Sequence, residues 1–298
     1  MLAALTDLSG IGDARAYELY TYYETPQKLL NAPESIVSEF HYLDADTYEG
    51  LQSLNKAVEK YIHRFNEYET DGIRILSIED DQYPDVVRDG PAPVLIYARG
   101  NTDILTGTAI GVSGSRKTNE TGQQWIRSLS LELAEEGNVI VSGGARGADT
   151  AAHQGALEFP NSTIAVLGTG VNVAYPPENE LLFEQIIRTG GLLLSMRPPD
   201  AEPTRHSFID RNELLAALSD AMIFVATDGS GGTMAQYEIA LKQDKPTFVP
   251  PSYLEIEPSS GLTELRDSNV TATMQTPTDL SNSILGSRSQ QKDLDEWI

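Results

Sequence analysis

The chain has 298 residues, a hydrophobic fraction of 40% and no cysteine. That length bounds it to one large or two modest domains, the apolar content can fill a buried core, and disulfide, thiolate and zinc–thiolate chemistry is excluded. Asp and Glu total 44 against 21 Lys and Arg, a formal net charge of −23, which disfavours a polyanionic partner at long range.

Only seven of the cations are lysine. Abundant carboxylate with scarce lysine is the pattern of a protein adapted to high intracellular salt. At molar salt the Debye length is only about 3 Å, so global charge repels little and local contacts decide. The alternative is an ordinary acidic protein that binds no nucleic acid. No apolar run reaches the length of a membrane span and no basic-then-apolar leader is seen, so a soluble, cytoplasmic chain away from membranes is expected. Histidines 41, 63, 153 and 206 are too scattered for a metal site, and neither metal nor cofactor is expected.

Residues 1–70 read as helical, with apolar residues at mixed three- and four-residue spacings over Leu2–Tyr23 and Glu34–Tyr68. The turn Leu8–Ser9–Gly10–Ile11–Gly12 suits a tight helical hairpin whose amides can grip a phosphate, or a plain packing turn. Thr70–Asp71–Gly72 ends this region. Ile73–Ile78 and Val94–Tyr97 are strand candidates, joined by an irregular connector containing Tyr83–Pro84 and Pro91–Ala92–Pro93.

From Thr108 strands and helices alternate. Strands are predicted at Ala109–Val112, Val139–Ser142, Thr163–Leu167, Leu192–Ser195, Ala221–Val225 and Thr247–Val249. Helices are predicted at Gly122–Glu135, Ala148–Glu158, Glu180–Thr189, Arg211–Leu218 and Gly232–Lys242. This is the pattern of an α/β fold, a mostly parallel sheet with helices on both faces. Beyond Pro251 the chain is polar, with one strand-like piece at Val270–Met274 and a loose tail at 286–298. Three regions follow: a helical domain over 1–70, an α/β domain over 71–285 and the tail.

Ligands of such sheets bind at the C-terminal strand ends, and the glycine-rich turns fall there. Gly114–Ser115–Arg116–Lys117 follows the first strand of the alternating region, and Gly143–Gly144–Ala145–Arg146–Gly147 follows the second. Each puts small residues and an Arg beside a helix N-terminus, where free N–H groups meet anions and a guanidinium offers a planar fork. Gly231–Gly232–Thr233 opens the last long helix in the same way. Arg205, His206, Arg211 and Asn212 are expected just before or at the start of a helix, where Arg and Asn can hold phosphate or a base edge.

Other constellations fail. The Lys117–Thr118 pair lacks the glycine that precedes a P-loop lysine, and Gly168–Thr169–Gly170 lacks the third glycine of a dinucleotide fingerprint. Asp149 and His153 lie four apart on one helix with Ser113 or Ser142 in reach, but Gly111–Val112–Ser113–Gly114–Ser115 lacks the last glycine of a nucleophile elbow. Helix-end charge for Asp149 and packing for His153 account for that pair. No catalytic residue is assigned.

In order, Tyr83–Pro84, Gly114–Ser115–Arg116, Ser142 to Asp149 with Ala151–Ala152–His153, Ile164 to Gly168, Tyr175–Pro176–Pro177–Glu178–Asn179, Leu193–Leu194–Ser195 and Arg211–Asn212 resemble the DNA-processing protein A family (DprA, also called Smf). The resemblance covers residues 75–285. It implies an extended Rossmann-like fold, single-stranded DNA as ligand, a RecA-type recombinase as partner, a homodimer and no required catalytic step. It also lends residues 1–70 a helix-hairpin-helix or SAM-like character. Arg116, Lys117, Arg146 and Arg211 would then form a phosphate track. Gly114, Ser115, Gly143, Gly144, Gly147, Asn212, Gly231, Gly232 and Thr233 would supply room and donors, and His206 a stacking ring. The chain departs from the family pattern at Glu213, where an Arg is usual, at Gly231–Gly232–Thr233 for Ser-Gly-Ser, and at Met196–Arg197 for an acidic residue. Two alternatives stay open: a nucleotide sensor, and a nucleoside-monophosphate phosphoribohydrolase built on a Gly-Gly-x-Gly-Thr-x-x-Glu loop. For the latter, Glu238 follows Thr233 by five residues instead of three.

Overall fold

The computed structural model describes residues 1–23, 25–89, 92–268, 270–274 and 276; the expected tail at 286–298 lies outside them. The chain divides into two compact units, Met1–Tyr97 and Ala98–Ile298. No described helix is long and apolar enough to cross a membrane.

The first unit is mainly helical, with helices at Leu2–Thr6, Asp13–Tyr23, Pro26–Leu30, Ile36–Glu39, Ala45–Gln52 and Leu54–Thr70. The helical stretch expected over Glu34–Tyr68 is broken twice. Asp44 starts a new helix by accepting the Thr47 N–H at 2.8 Å, and Ser53 separates that helix from the next. The Leu8–Gly12 turn is closed by Arg15, whose guanidinium donates to the Gly10 carbonyl at 2.7 Å. Strand β1 (Ile73–Ser77) follows, and β2 (Leu95–Gly100) spans the boundary between units. Tyr83 of the connector is buried and donates its hydroxyl to the Pro93 carbonyl at 2.6 Å.

The second unit carries β3 (Ala109–Ser113), β4 (Val139–Ser142), β5 (Thr163–Val166), β6 (Leu192–Ser195), β7 (Ala221–Phe224), β8 (Thr247–Val249) and β9 (Thr271–Thr273). These seven run in the order β6-β5-β4-β3-β7-β8-β9, and every neighbouring pair is parallel. Strands β4 to β7 are buried at every residue, as helices on both faces require. The helix Glu120–Glu135 buries Ile126, Leu129 and Leu133 at helical spacing.

The order holds the clue to the site. The chain winds outward from β3 through β4, β5 and β6, then returns to lay β7 on the other side of β3. The reversal point lies at β3, where a crevice opens between connections leaving in opposite directions. The turns after β4, β3 and β7 are therefore neighbours, on strands about 4.8 Å apart.

In the second unit two helices differ from expectation. The helix predicted from Arg211 runs Arg205–Leu218, because Thr204 and Ser207 form a reciprocal capping box six residues earlier. A helix at Ser260–Asp267 occupies a segment read as polar chain. Its apolar signal is little more than Leu262 and Leu265, with a glycine at its second position.

Candidate nucleic-acid interface

The turn after β3 is pinned by backbone. The Ser115 N–H donates to the Ala226 carbonyl beyond β7 at 2.8 Å, and the Thr118 hydroxyl donates to the Ser115 carbonyl at 2.5 Å. Asn119 caps the next helix through the Gly122 N–H at 3.1 Å. These bonds leave Arg116 and Lys117 exposed at the apex. Arg116 has no hydrogen-bonded or ion-paired partner among the described residues.

The turn after β4 needs its glycines. Gly147 has φ +74°, and a Cβ there would lie 2.5 Å from the Ser115 carbonyl oxygen, so the two turns touch backbone to backbone. At Gly143 the Cβ position is taken by the Arg211 guanidinium. Asp149, buried at the start of the helix Ala148–Ala156, accepts the Ala145 N–H at 3.2 Å. Asn179 reaches in to donate to the Gly144 carbonyl and to the Thr150 hydroxyl, both at 2.9 Å.

The longer helix changes which of its residues face the cleft. Phe208, Arg211 and Asn212 are spaced i, i+3, i+4 and share one face. His206 is five residues from Arg211, projects elsewhere and is exposed at the helix start. Arg211 donates from Nη1 to the Val166 carbonyl at 3.1 Å, while its buried Nε has no partner. Burial lowers the Arg211 pKa, opposed by Asp149; burial raises that of Asp149, opposed first by Arg211.

The third turn, after β7, carries Asp228, whose carboxylate accepts from the Ser230 N–H at 3.0 Å and the Ser230 hydroxyl at 2.7 Å. Those bonds hold its pKa below the usual range, with a smaller contribution from Lys117. Gly231 and Gly232 are exposed at the N-terminus of the helix Gly231–Lys242, and Thr233 is buried behind them.

All three turns open on one cleft of about 440 Å³, lined by Gly114, Ser115, Arg116, Lys117, Arg211, Asn212, Gly231, Gly232 and Thr233, with Asp149 and Asp228. Beside it lies a smaller pocket of about 90 Å³ that shares Arg116, Phe208 and Arg211 with the cleft and adds Gly143, Arg146, Tyr175, Pro176 and Pro177. The Tyr175 and Phe208 rings stand 5.4 Å apart. Of the residues singled out in the sequence, Gly144 and Gly147 shape a turn without lining either space, and neither does His206. The aromatic lining is Tyr175 and Phe208 instead. The signal for Phe208 was its position three before Arg211, which becomes helical only once the helix start is moved.

Two further predicted residues are constrained by partners. Arg146 pairs through Nε with Glu178, which lowers the Glu178 pKa and raises that of Arg146. His153 is fully buried with Nδ1 2.7 Å from the Thr163 hydroxyl. Thr163 donates its own proton to the Ile140 carbonyl at 2.8 Å, so His153 is the donor and Nε2 is unprotonated. Burial holds the ring neutral, with a pKa of about 3. This is packing, the role expected for His153.

Residues 74–285 match the family described as DNA recombination-mediator protein A. The chain belongs to that family. Protein Smf of Synechocystis sp. is 32% identical over 225 residues, which are 71% of this chain and 56% of the relative. DNA processing protein DprA of Streptococcus pneumoniae is 37% identical over 181 residues, 60% of this chain and 64% of the relative. The chain thus spans between half and two thirds of these relatives' length. Among solved structures, DprA from Streptococcus pneumoniae superimposes with a TM-score of 0.66 at 29% identity, covering 91% of this chain and 98% of that one. DNA processing protein A from Helicobacter pylori, described for its single-stranded DNA binding mode, gives 0.62 at 31% identity over 72% of this chain and 96% of that one. Members of the DprA family thus share the Rossmann-like architecture found here.

Proposed function

We propose that this chain binds single-stranded DNA along the cleft and delivers it to a RecA-type recombinase in the cytoplasm. The observation that carries the reading is the convergence of three glycine-rich turns, four cations and two aromatic rings at the switch point of one sheet. Arg116 and Lys117 offer charge to phosphates, and the helix starting at Gly231 offers free N–H groups. Tyr175 and Phe208 offer faces for unstacked bases, which a single strand presents and a duplex does not. The Helicobacter pylori relative, described for single-stranded DNA binding, supports the reading.

A mediator also needs a surface for the recombinase, and the excess carboxylate elsewhere suits a basic partner face through charge complementarity. The test is recombinase filament assembly on DNA coated with a single-strand-binding protein. This chain should speed assembly, and Arg116→Ala combined with Arg146→Ala should abolish the gain without unfolding the protein. The phosphoribohydrolase reading fares worse. Glu238 is exposed, does not line the cleft, and sits about 7.5 Å further along the helix axis than Thr233.

A further inference from the structure

The cations of the cleft stand beside carboxylates of the same chain. Arg146 is bonded to Glu178, Arg211 and, more weakly, Arg116 lie in the field of Asp149, and Lys117 in that of Asp228. The Glu178 pair differs from the others because it is both direct and open to water, with Arg146 and Glu178 side chains 61% and 49% exposed. It uses only the Nε edge of the guanidinium, so the fork of the two terminal nitrogens stays open.

Resting on the proposed binding of single-stranded DNA, we propose that Glu178 is a built-in competitor for phosphate. Its carboxylate occupies Arg146 in the free protein and weakens the hold of Arg146 on the strand. Three observations favour this over a role for Glu178 in aiming Arg146. The position of Glu178 does not depend on its pair, because the next residue, Asn179, is buried and anchors the segment to the Gly144 carbonyl and Thr150. Exposed ion pairs contribute little to stability, so the bond breaks cheaply. Glu178 also directly follows Tyr175, Pro176 and Pro177, which line the same pocket as Arg146. A phosphate on Arg146 therefore sits within the field of that carboxylate, where like charge repels. Glu178 then sets both affinity and salt response. A phosphate that meets an already paired arginine gains less net neutralisation, and fewer counterions are released.

The experiment is binding to fluorescent oligo-dT over a KCl series, using the full chain and the variants Glu178→Gln, Arg146→Ala, the double variant of these two and Arg116→Ala, each checked by thermal melt. Gln keeps the shape and removes the charge. We expect Glu178→Gln to tighten binding about three- to tenfold at low salt and to steepen the log K against log salt slope by up to about 0.7. The gain should disappear in the Arg146→Ala background. If Arg146→Ala weakens binding but Glu178→Gln leaves it unchanged or weakens it, Glu178 is not a competitor, and the cleft assignment stands. If neither Arg146→Ala nor Arg116→Ala alters binding, the cleft is not the DNA site, and the competitor role falls with it.

Discussion

The guanidinium of Arg211 fills the space that a side chain at position 143 would need. The contact joins the turn after β4 to the helix that carries Phe208 and Asn212. It also seats the arginine against the Val166 carbonyl, 3.1 Å from Nη1. Gly143→Ala should push Arg211 out of this seat. Overpacking of this kind costs about 1–3 kcal/mol. We expect a lower urea midpoint and a loss of oligo-dT affinity together. An alanine variant with unchanged midpoint and affinity would show that the seat is dispensable.

His153 gives a pH signature. Its folded pKa is depressed to about 3 from an unfolded value of 6.5. The unfolded state therefore binds the proton first, and stability falls as pH drops below 6.5 towards the folded value, with no effect above it. Between pH 7 and pH 5 the loss from this group is about 2 kcal/mol. His153→Asn keeps a donor towards Thr163 and removes the titration. Its stability should decline less steeply than that of the wild type over that range, as read from urea midpoints. Parallel declines would mean that His153 is not the group responsible.

Salt dependence separates the two readings of the −23 charge. Carboxylate self-repulsion weakens a fold at low ionic strength and is relieved by salt. In the helical unit Tyr22, Tyr42 and Tyr61 donate to Glu39, Glu18 and Asp7 at 2.9, 2.8 and 2.8 Å, using neutral donors that salt does not screen away. For a salt-adapted chain, the melting temperature should rise from low to molar KCl. A flat or falling melting temperature returns the chain to ordinary acidic behaviour.

The exposed position of Glu238 bears on chemistry. Incubation with nucleoside monophosphates should release no free base, and Glu238→Gln should leave oligo-dT affinity unchanged. Release of base that is lost in Glu238→Gln would move the protein to the phosphoribohydrolase class.

The parallel sheet was legible because its strands are short apolar runs closed by glycine-rich turns, and the turns marked the ligand edge. Periodicity does not report strand order, so the placement of β7 beside β3, which brings the turn at Gly231 next to that at Gly114, had to come from the structure. The start of the helix at Arg205 was hidden because its cap uses Thr204 with Ser207, where the usual signature has Glu or Gln at the third position. That shift puts Phe208, and not His206, in the lining of the cleft. The pairing of Glu178 with Arg146 and the place of Asp228 in the cleft were invisible, since a carboxylate set in the sequence far from a cation carries no sign of facing it.

Arg116, exposed at the apex of the turn after β3, has no hydrogen-bonded or ion-paired side-chain partner among the described residues, and the shared cleft should hold a single strand through it. A salt-titrated binding curve on oligo-dT, wild type against Arg116→Ala, tests it most directly. Binding at least about tenfold weaker and a slope shallower by about 0.7 are expected for the variant. Superimposable curves would contradict it.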